Sequence, residues 1–500
     1  MRLMFDRVSL DLFELIQAEN HSGALVYLVG GAVRDLLLGS QLHDMDFVLG
    51  ENPTHLAKRL AKRLKAGFFV LDDERHTARV VHYDQTGQFF PLDFVQFTGC
   101  SLEEDLHNRD FTINAMAISL DDITQVIDPL YGLADLEAGC LRTCSDHALV
   151  DDPVRVLRGV RLAVQFDLDL ADGLEVSLQA AALHLPNTSY ERQRDEFFRI
   201  LGGTHPAEGL RYCEKFKVFD TMLPPLVDQE SFPDATSSQI SSLIHAIQTV
   251  DNFNRMIERL SSAQTGTSEI DWPMENALII LGKFSNQIAS YFAEEITPGR
   301  SKAALAFFST LLQDIGIKDG VDQELGGISR SMVSADLAWE MAKRLQLSNA
   351  ESEWVRKMVG HRMTVQTLMQ DELFPDQRKV YRFFKEVGNV GVALAVHILA
   401  ETMACDGSTM TPEHWEKALT IVLSILSAWW DYQDTIISPT PLLNGDDLQR
   451  IFDLEPGKRI GHLLDQLVEE QASGNIFTQD EAEDFIRRLL TRGRYKGDKR

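Results

Sequence analysis

The chain has 500 residues, 44% hydrophobic and 25% charged, which is ordinary for a globular protein but more than one core usually serves, so about three to four domains are expected. A net charge of −27 excludes nucleic-acid binding by bulk charge, since phosphate contacts need lysine and arginine, yet arginines cluster at Arg155 to Arg161, at Glu191 to Arg199 and in the basic end Arg487 to Arg500. The five cysteines, Cys100, Cys140, Cys144, Cys213 and Cys405, are scattered and odd in number, which points to reduced thiols and away from a disulfide framework or a zinc site at Cys140/Cys144.

In chain order, apolar spacing predicts a helix over Phe5 to Ala18 and a buried strand over Ala24 to Val29. Gly30-Gly31 follows, then a short helix over Ala32 to Leu38 stopped by Gly39, and a second strand over His43 to Leu49. Leu56 to Leu64 has helical spacing and Gly67 to Leu71 is strand-like. Thr77 to Tyr83 and Phe89 to Phe97 form a hairpin around Asp84-Gln85-Thr86-Gly87. Phe111 to Leu120 is a further strand or helix start, and Thr124 to Asp128 a short strand. From Pro153 the pattern is helical: Val154 to Gln165, Gln193 to Leu201, Gln239 to Leu260, Met274 to Phe292, Val333 to Leu345, Gln377 to Val387, Val392 to Met403, His414 to Trp430 and Gln479 to Leu490. Ser261 to Glu269 reads as a linker. The N-terminal residues mix acids and bases without a signal-peptide core, and the apolar run near Ile421 to Trp430 is too short to span a bilayer. A cytoplasmic protein with no membrane contact is expected.

Tyr27-Leu28-Val29-Gly30-Gly31-Ala32-Val33-Arg34-Asp35 and His43-Asp44-Met45-Asp46-Phe47 carry the strongest chemistry. Strand alternation places Asp44 and Asp46 on one face, with Met45 on the other. Two carboxylates so placed suit Mg²⁺, which also takes phosphate oxygens and water. The glycine pair lets backbone N–H groups approach a triphosphate at a helix start, where Arg34 reaches the same phosphates. Asp93 interrupts the apolar strand Phe89 to Val95 and is the candidate third carboxylate of a two-metal site; the plainer alternative is that it faces water from the open side of a sheet. Asp152-Pro153 suits a helix start, with Asp as cap and Pro at the first helical position. Behind it, Arg155, Arg158 and Arg161 recur every three residues as a strip on one helix face.

These blocks resemble the class II tRNA nucleotidyltransferase and bacterial poly(A) polymerase family. Gly30-Gly31-x-x-Arg34-Asp35 with Asp44-x-Asp46 matches its head signature. Arg109-Asp110-Phe111-Thr112-Ile113-Asn114-Ala115-Met116-Ala117 matches a second motif, in which Asn108 stands where an arginine is usual. Asp128-Pro129-Leu130-Tyr131-Gly132-Leu133-Ala134-Asp135-Leu136 resembles a third, a flexible link from head to neck, and Asp151-Asp152-Pro153-Val154-Arg155-Val156-Leu157-Arg158-Gly159-Val160-Arg161 a fourth. Glu191-Arg192-Gln193-Arg194-Asp195-Glu196 sits where the family carries a fifth, which braces the template helix.

The resemblance implies an α+β architecture. A nucleotidyltransferase head of mixed β-sheet with helices (residues 1–148) is followed by an all-helical neck (149–265), body (266–370) and tail (371–500). It implies template-independent addition of C and/or A to the tRNA 3′ end, from ATP and CTP with two Mg²⁺ ions. Asp44, Asp46 and Asp93 are then catalytic, with Asp44 and Asp46 as metal ligands. Gly30, Gly31, Arg34, Arg109, Asp110, Asn114, Asp152, Arg155, Arg158 and Arg161 bind the nucleotide. Asp152 and Arg155 would pair with the base edge; such a carboxylate and arginine fit cytosine and adenine, whereas uracil and guanine present the wrong donors and acceptors. Expected partners are the tRNA 3′ end and nucleoside triphosphates, with no stable protein partner.

Leu311-Leu312-Gln313-Asp314-Ile315-Gly316 resembles the metal-binding His-Asp motif of some members, with Gln313 in place of the histidine and His361 after a helix; a lost hydrolase module is expected. Pro441 to Leu448 and Glu455-Pro456-Gly457-Lys458 resemble the C-terminal segment that grips the RNA elbow. The alternatives are a poly(A) polymerase, which shares the head motifs, and a non-catalytic RNA-binding protein, which would not require the carboxylates.

Overall fold

A computed structural model of the chain describes residues 3, 5–40, 42, 44–51, 53–73, 76–83, 89–226, 242–262, 272–315, 327–370, 376–404 and 411–497. His43, the Asp84 to Gly87 turn, most of the Ser261 to Glu269 linker, Gly316, Cys405 and residues 498–500 lie outside them. The chain divides into two compact units, Met1–Phe197 with Tyr212–Met222, and Phe198–Arg211 with Leu223–Arg500.

The first unit holds a mixed sheet of β1 (Val26–Val29), β2 (Met45–Leu49), β3 (Gly67–Asp72), β4 (Thr77–Tyr83), β5 (Phe89–Gln96), β6 (Ala117–Ser119) and β7 (Asp122–Ile127), in the order β3-β4-β5-β2-β1-β6-β7. Only β2 and β5 pair in parallel; the other neighbours are antiparallel. Its helices are α1 (Arg7–Glu19), α2 (Gly31–Leu37), α3 (Pro53–Leu64), α4 (Leu102–His107), α5 (Gly132–Ala138), α6 (Ala148–Asp151), α7 (Arg155–Gln165), α8 (Leu174–Ala182), α9 (Tyr190–Leu201, whose last turn enters the second unit), α10 (Pro206–Lys215, of which the part before Tyr212 belongs to the second unit) and α11 (Val218–Met222).

Alternation in β2 and β5 buries Met45, Phe47, Leu92 and Phe94 on one face, where the Phe47 and Phe94 rings stack with centroids 5.1 Å apart. Phe13 meets Phe47 edge-on from α1. The opposite face carries charge. Arg79 pairs with Asp93, Asp93 with Asp46, and Asp46 with Val29 across β4, β5, β2 and β1. Directly opposed residues share a face of the sheet, so this register sets an arginine and two carboxylates in one row.

The stretch Phe111 to Leu120 becomes a 3-10 turn, Thr112–Asn114, followed by β6. The third motif is a capped connection: Asp128 accepts from the N–H groups of Gly132 (2.7 Å) and Leu133 (2.9 Å) at the start of α5. A Cβ on Gly132 would run into the Thr112 carbonyl, so glycine is what lets α5 lie on the 3-10 turn.

The second unit is helical: α12 (Ser242–Ser262), α13 (Trp272–Leu281), α14 (Ser285–Ala293), α15 (Lys302–Leu311), α16 (Gly327–Arg344), α17 (Asn349–Gly360), α18 (Arg362–Gln370), α19 (Gln377–Val387), α20 (Val390–Ala404), α21 (Pro412–Trp430), α22 (Gly445–Phe452), α23 (Lys458–Ala472) and α24 (Gln479–Gly497), with a short β-pair before α15. The single helix expected over Met274 to Phe292 is two, α13 and α14, separated by a 3-10 turn at Gly282–Phe284. The α22 to α24 segment has its own small core of Leu448, Ile460, Leu467 and Ile486. Among the described residues no single helix is long and apolar enough to cross a membrane; α19 and α20 reach that length together but turn by 110° at their junction.

Candidate active site

The turn between β1 and α2 is built by Gly30, whose φ of 77° and ψ of −140° suit glycine. A Cβ there would stand 3.1 Å from an Arg109 guanidinium nitrogen and 3.6 Å from Asp46 Oδ2, so the backbone of the turn lies directly against two side chains of the site. The first N–H groups of α2, starting at Gly31, have no intrahelical acceptor and can meet an anion. Arg34 is buried beneath them, donating to Asp35 Oδ1 (2.9 and 2.8 Å) and Asn114 Oδ1 (2.5 Å), with its guanidinium 4.3 Å above the Phe166 ring. Burial draws Arg34 below its ordinary pKa and Asp35 opposes it.

Met45 is buried, while Asp44 and Asp46 are both open to solvent, as strand alternation requires. Neither aspartate side chain has a hydrogen-bond or ion-pair partner among the described residues. The surrounding protein raises the Asp46 carboxyl first, an effect limited by its open side. The neighbouring Asp93 raises it further, against Arg109 and Arg158. Two adjacent carboxylates with oxygens to spare are the donor set a hard divalent cation takes. Asp93 is placed differently. It is half-buried, and both its oxygens accept from Arg79, Oδ1 from Nε and Oδ2 from a terminal nitrogen, each at 2.7 Å. Among the described residues no three His, Cys, Asp or Glu side chains converge as a metal cage.

The second motif is locked from below. Arg109 donates to Asp105 Oδ2 (3.0 and 3.2 Å), and Asp105 itself accepts from the Thr98 N–H. Asp110 is buried. Burial alone would raise its carboxyl, but Arg158, the Phe111 N–H (2.7 Å), Asn114 (3.3 Å) and Arg155 together hold it below the usual range. Arg158 Nε lies 3.1 Å from Asp110 Oδ2, although that oxygen receives no well-directed hydrogen bond. Arg34, Asn114, Asp110 and Arg158 thus form one polar chain from the glycine turn to α7.

The arginine strip on α7 divides three ways. Arg155 donates to the carbonyls of Asn108 (2.9 Å), Arg109 (3.2 Å) and Ala148 (2.9 Å), Arg158 meets Asp110, and Arg161 pairs with Glu196 at 2.9 Å. Asp152 does not cap α7, which corrects the sequence expectation. The helix starts at Arg155, and the Asp152 backbone is extended (φ −146°, ψ 93°) at the end of α6. Its carboxylate turns instead to Arg192, which grips both oxygens at 3.1 and 2.6 Å. A distant, bidentate guanidinium outcompetes local backbone N–H groups for the same lone pairs.

The structure therefore brings Gly30, Gly31, Arg34, Asp44, Asp46, Asp93, Arg109, Asp110, Asn114, Asp152, Arg155, Arg158 and Arg161 into the first unit. It adds Arg79, Asp105 and Phe166, which the sequence did not mark for contact with these groups, and it gives Arg192 and Glu196 of the fifth block their partners in Asp152 and Arg161. Arg79 had a signal: pairing the inner ends of the two hairpin strands, Tyr83 with Phe89, sets it opposite Asp93.

In the second unit the His-Asp-like segment is closed by a protein cation. Arg362 donates to Asp314 (2.7 Å) and Glu401 (3.0 Å), and Glu401 also accepts from Gln366 (2.9 Å). The buried histidine beside Gln313 is His397, 3.1 Å away; His361 faces Glu386 at 3.8 Å. Burial pushes His397 down to about 4.

Residues 26–142 match the family model described as the poly(A) polymerase head domain. A CC-adding tRNA nucleotidyltransferase of Synechocystis sp. is 28% identical over 464 residues, covering 92% of this chain and 93% of its own. Among solved structures, a Thermotoga maritima CCA-adding enzyme complexed with tRNA-CCA shares the fold with a TM-score of 0.61 at 23% identity, over 97% of this chain and 96% of that one. A CCA-adding enzyme of Streptococcus mutans is 31% identical over 291 residues, half of this chain and 70% of that protein. Read with the carboxylates, glycine turn and arginine helix in their expected order, these likenesses show that the chain belongs to the tRNA nucleotidyltransferase family built on a poly(A) polymerase-type head domain.

Proposed function

We propose that this chain adds C and/or A nucleotides, without a template strand, to the 3′ end of tRNA in the cytoplasm. The observation that carries the reading is the pair Asp44 and Asp46, solvent-open and unpartnered among the described residues, beside the Gly30 turn. Their donor chemistry fits divalent cations such as Mg²⁺. When bound there, such ions would activate the attacking 3′ oxygen and offset charge on the departing pyrophosphate. The chain's own groups do the positioning. The Gly30-Gly31 turn and Arg34 receive the triphosphate of ATP or CTP, and Arg109, beside that turn, adds a positive charge over it. Asp110 and Asn114 hold Arg34 and Arg158 in place. Asp152 and Arg155 read the base edge. With Asp152 held by Arg192, and Arg155 spending three contacts on backbone carbonyls, reading a base requires the Asp152–Arg192 pair to open. The head through residue 148 performs the chemistry, the neck over 149–265 selects the base, and the body and tail over 266–370 and 371–500 hold the RNA.

The test is incubation of the protein with tRNA transcripts lacking CCA, CA or A, supplied with labelled CTP and ATP separately. Stepwise incorporation that stops at the mature end supports the reading. No incorporation on any transcript overturns it, and long A tracts on unrelated RNA would assign a poly(A) polymerase instead.

A further inference from the structure

Asp93 sits in register with Asp46 on the neighbouring parallel strand and on the same face of the sheet, which is where a third metal-binding carboxylate belongs. Yet both of its oxygens are taken by Arg79 at 2.7 Å, in a planar fork that matches a carboxylate edge. Arg79 reaches it straight across the β4–β5 ladder, and its side chain remains 41% exposed. Its guanidinium also lies within the field of Asp44 and Asp46. Asp44 and Asp46 remain outside the Arg79 fork, with Arg109 and Arg158 also acting on Asp46, so carboxylate charge is left to attract a divalent cation. A half-exposed arginine can leave such a pair at small cost, because water replaces what it gives up.

We propose that Arg79 is a positioning residue acting as a tethered cation that competes with a divalent metal ion for Asp93. In the metal-free protein the fork holds Asp93 in place and offsets part of the repulsion with Asp46. A second metal ion gains Asp93 only by displacing Arg79. The consequence is graded metal uptake: Asp44 and Asp46 supply the first ion freely, and the Arg79 latch raises the concentration needed for the next. This inference rests on the metal-binding role proposed for Asp44 and Asp46.

The test is direct Mn²⁺ binding to the full chain, read by the loss of the free-ion paramagnetic resonance signal. Arg79→Met removes the charge and keeps the stem, and should bind Mn²⁺ about tenfold more tightly or take up an additional ion. Arg79→Lys keeps the charge but loses the fork, and should gain only about two- to threefold. Adding Asp93→Asn to Arg79→Met should return binding to the wild-type level. Unchanged or weaker Mn²⁺ binding by Arg79→Met, with binding still lost in Asp46→Asn, would show an ordinary cross-strand ion pair and leave the metal site standing. No Mn²⁺ binding by any of these proteins would overturn both the latch and the metal reading.

Discussion

Replacing Asp152 with asparagine isolates base choice from everything else the neck does. Among the described residues Asp152 is gripped on both oxygens by Arg192, which is more than half exposed, and meets Arg155 only at 4.0 Å, so the Arg192 pair stabilises the fold by no more than about 1 kcal/mol. Melting should therefore move by under about 4 °C. Arg155→Ala is a different perturbation. Three backbone carbonyls lose a charged donor, at about 2–4 kcal/mol in total after water refills the exposed side. The segment Asn108 to Asp110, which carries Arg109 and Asp110, loosens with it. Asp152→Asn should thus keep transfer but raise UTP and GTP incorporation relative to CTP and ATP by about ten- to a hundredfold, the equivalent of one charged hydrogen bond. Arg155→Ala should combine a similar loss of selectivity with weaker use of all four nucleotides. Arg192→Gln is the control: it frees Asp152 and should leave discrimination intact. The assay is single-nucleotide incorporation on a tRNA transcript lacking CCA, with each triphosphate in turn. Unchanged ratios in Asp152→Asn, with a uniform fall across the four nucleotides, would refute a base-reading role.

Asp44→Ala or Asp46→Ala should abolish incorporation with circular dichroism and melting unchanged, since neither side chain supports the fold through a partner among the described residues; near-normal turnover with Mg²⁺ as the only metal would sink the assignment. Arg362→Met strands the buried Asp314 and Glu401, and should cost about 3–5 kcal/mol in denaturant unfolding; a loss within error would show that the clasp is not needed. The same clasp predicts no Ni²⁺- or Mn²⁺-dependent hydrolysis of 2′,3′-cyclic nucleotides, and activity that disappears in Asp314→Ala would contradict it. His397 is held neutral, with its folded pKa near 4 against the ordinary 6.5. Below pH 6.5 the unfolded chain takes up a proton that the folded one refuses, so the stability advantage of wild type over His397→Gln should shrink by about 3 kcal/mol between pH 7 and 4. A constant gap across that range would contradict this.

The head was largely legible because its signals are local. The β4 and β5 ranges follow from alternation, and Asp93 stands out as a charge inside an apolar strand. Arg79 was equally accessible, since hairpin symmetry pairs it with Asp93, but it looks like any exposed arginine until register is worked through. Asp152 misled for a physical reason: Asp-Pro is a strong local helix start, and only a partner forty positions along the chain shows why the carboxylate turns away. Helices α4 and α5 were missed because six and seven residues are too few to display a periodicity, and α2, equally short, was legible only from the Gly30-Gly31 turn before it and Gly39 after it; α5 is specified by the Asp128 cap and by Gly132 against Thr112. In the body, Gly282 marked the break within Met274 to Phe292, while His397 was hidden as a lone histidine in an apolar helix whose polar neighbours include Gln313 and Asp314 just past α15 and Arg362 of α18.

The chain of contacts from Arg34 through Asn114 and Asp110 to Arg158 ties the turn proposed to receive the triphosphate to the helix proposed to read the base. Arg34 cannot turn toward a phosphate without altering its 2.5 Å contact with Asn114, and Asn114 shares Asp110 with the α7 arginine. Affinity for the phosphates and affinity for the base would then be thermodynamically linked, each strengthening or weakening the other by the same factor. A nucleotide with the right tail and the wrong base would be penalised twice, and Asn114→Ala, which cuts the chain in the middle, would separate the two terms.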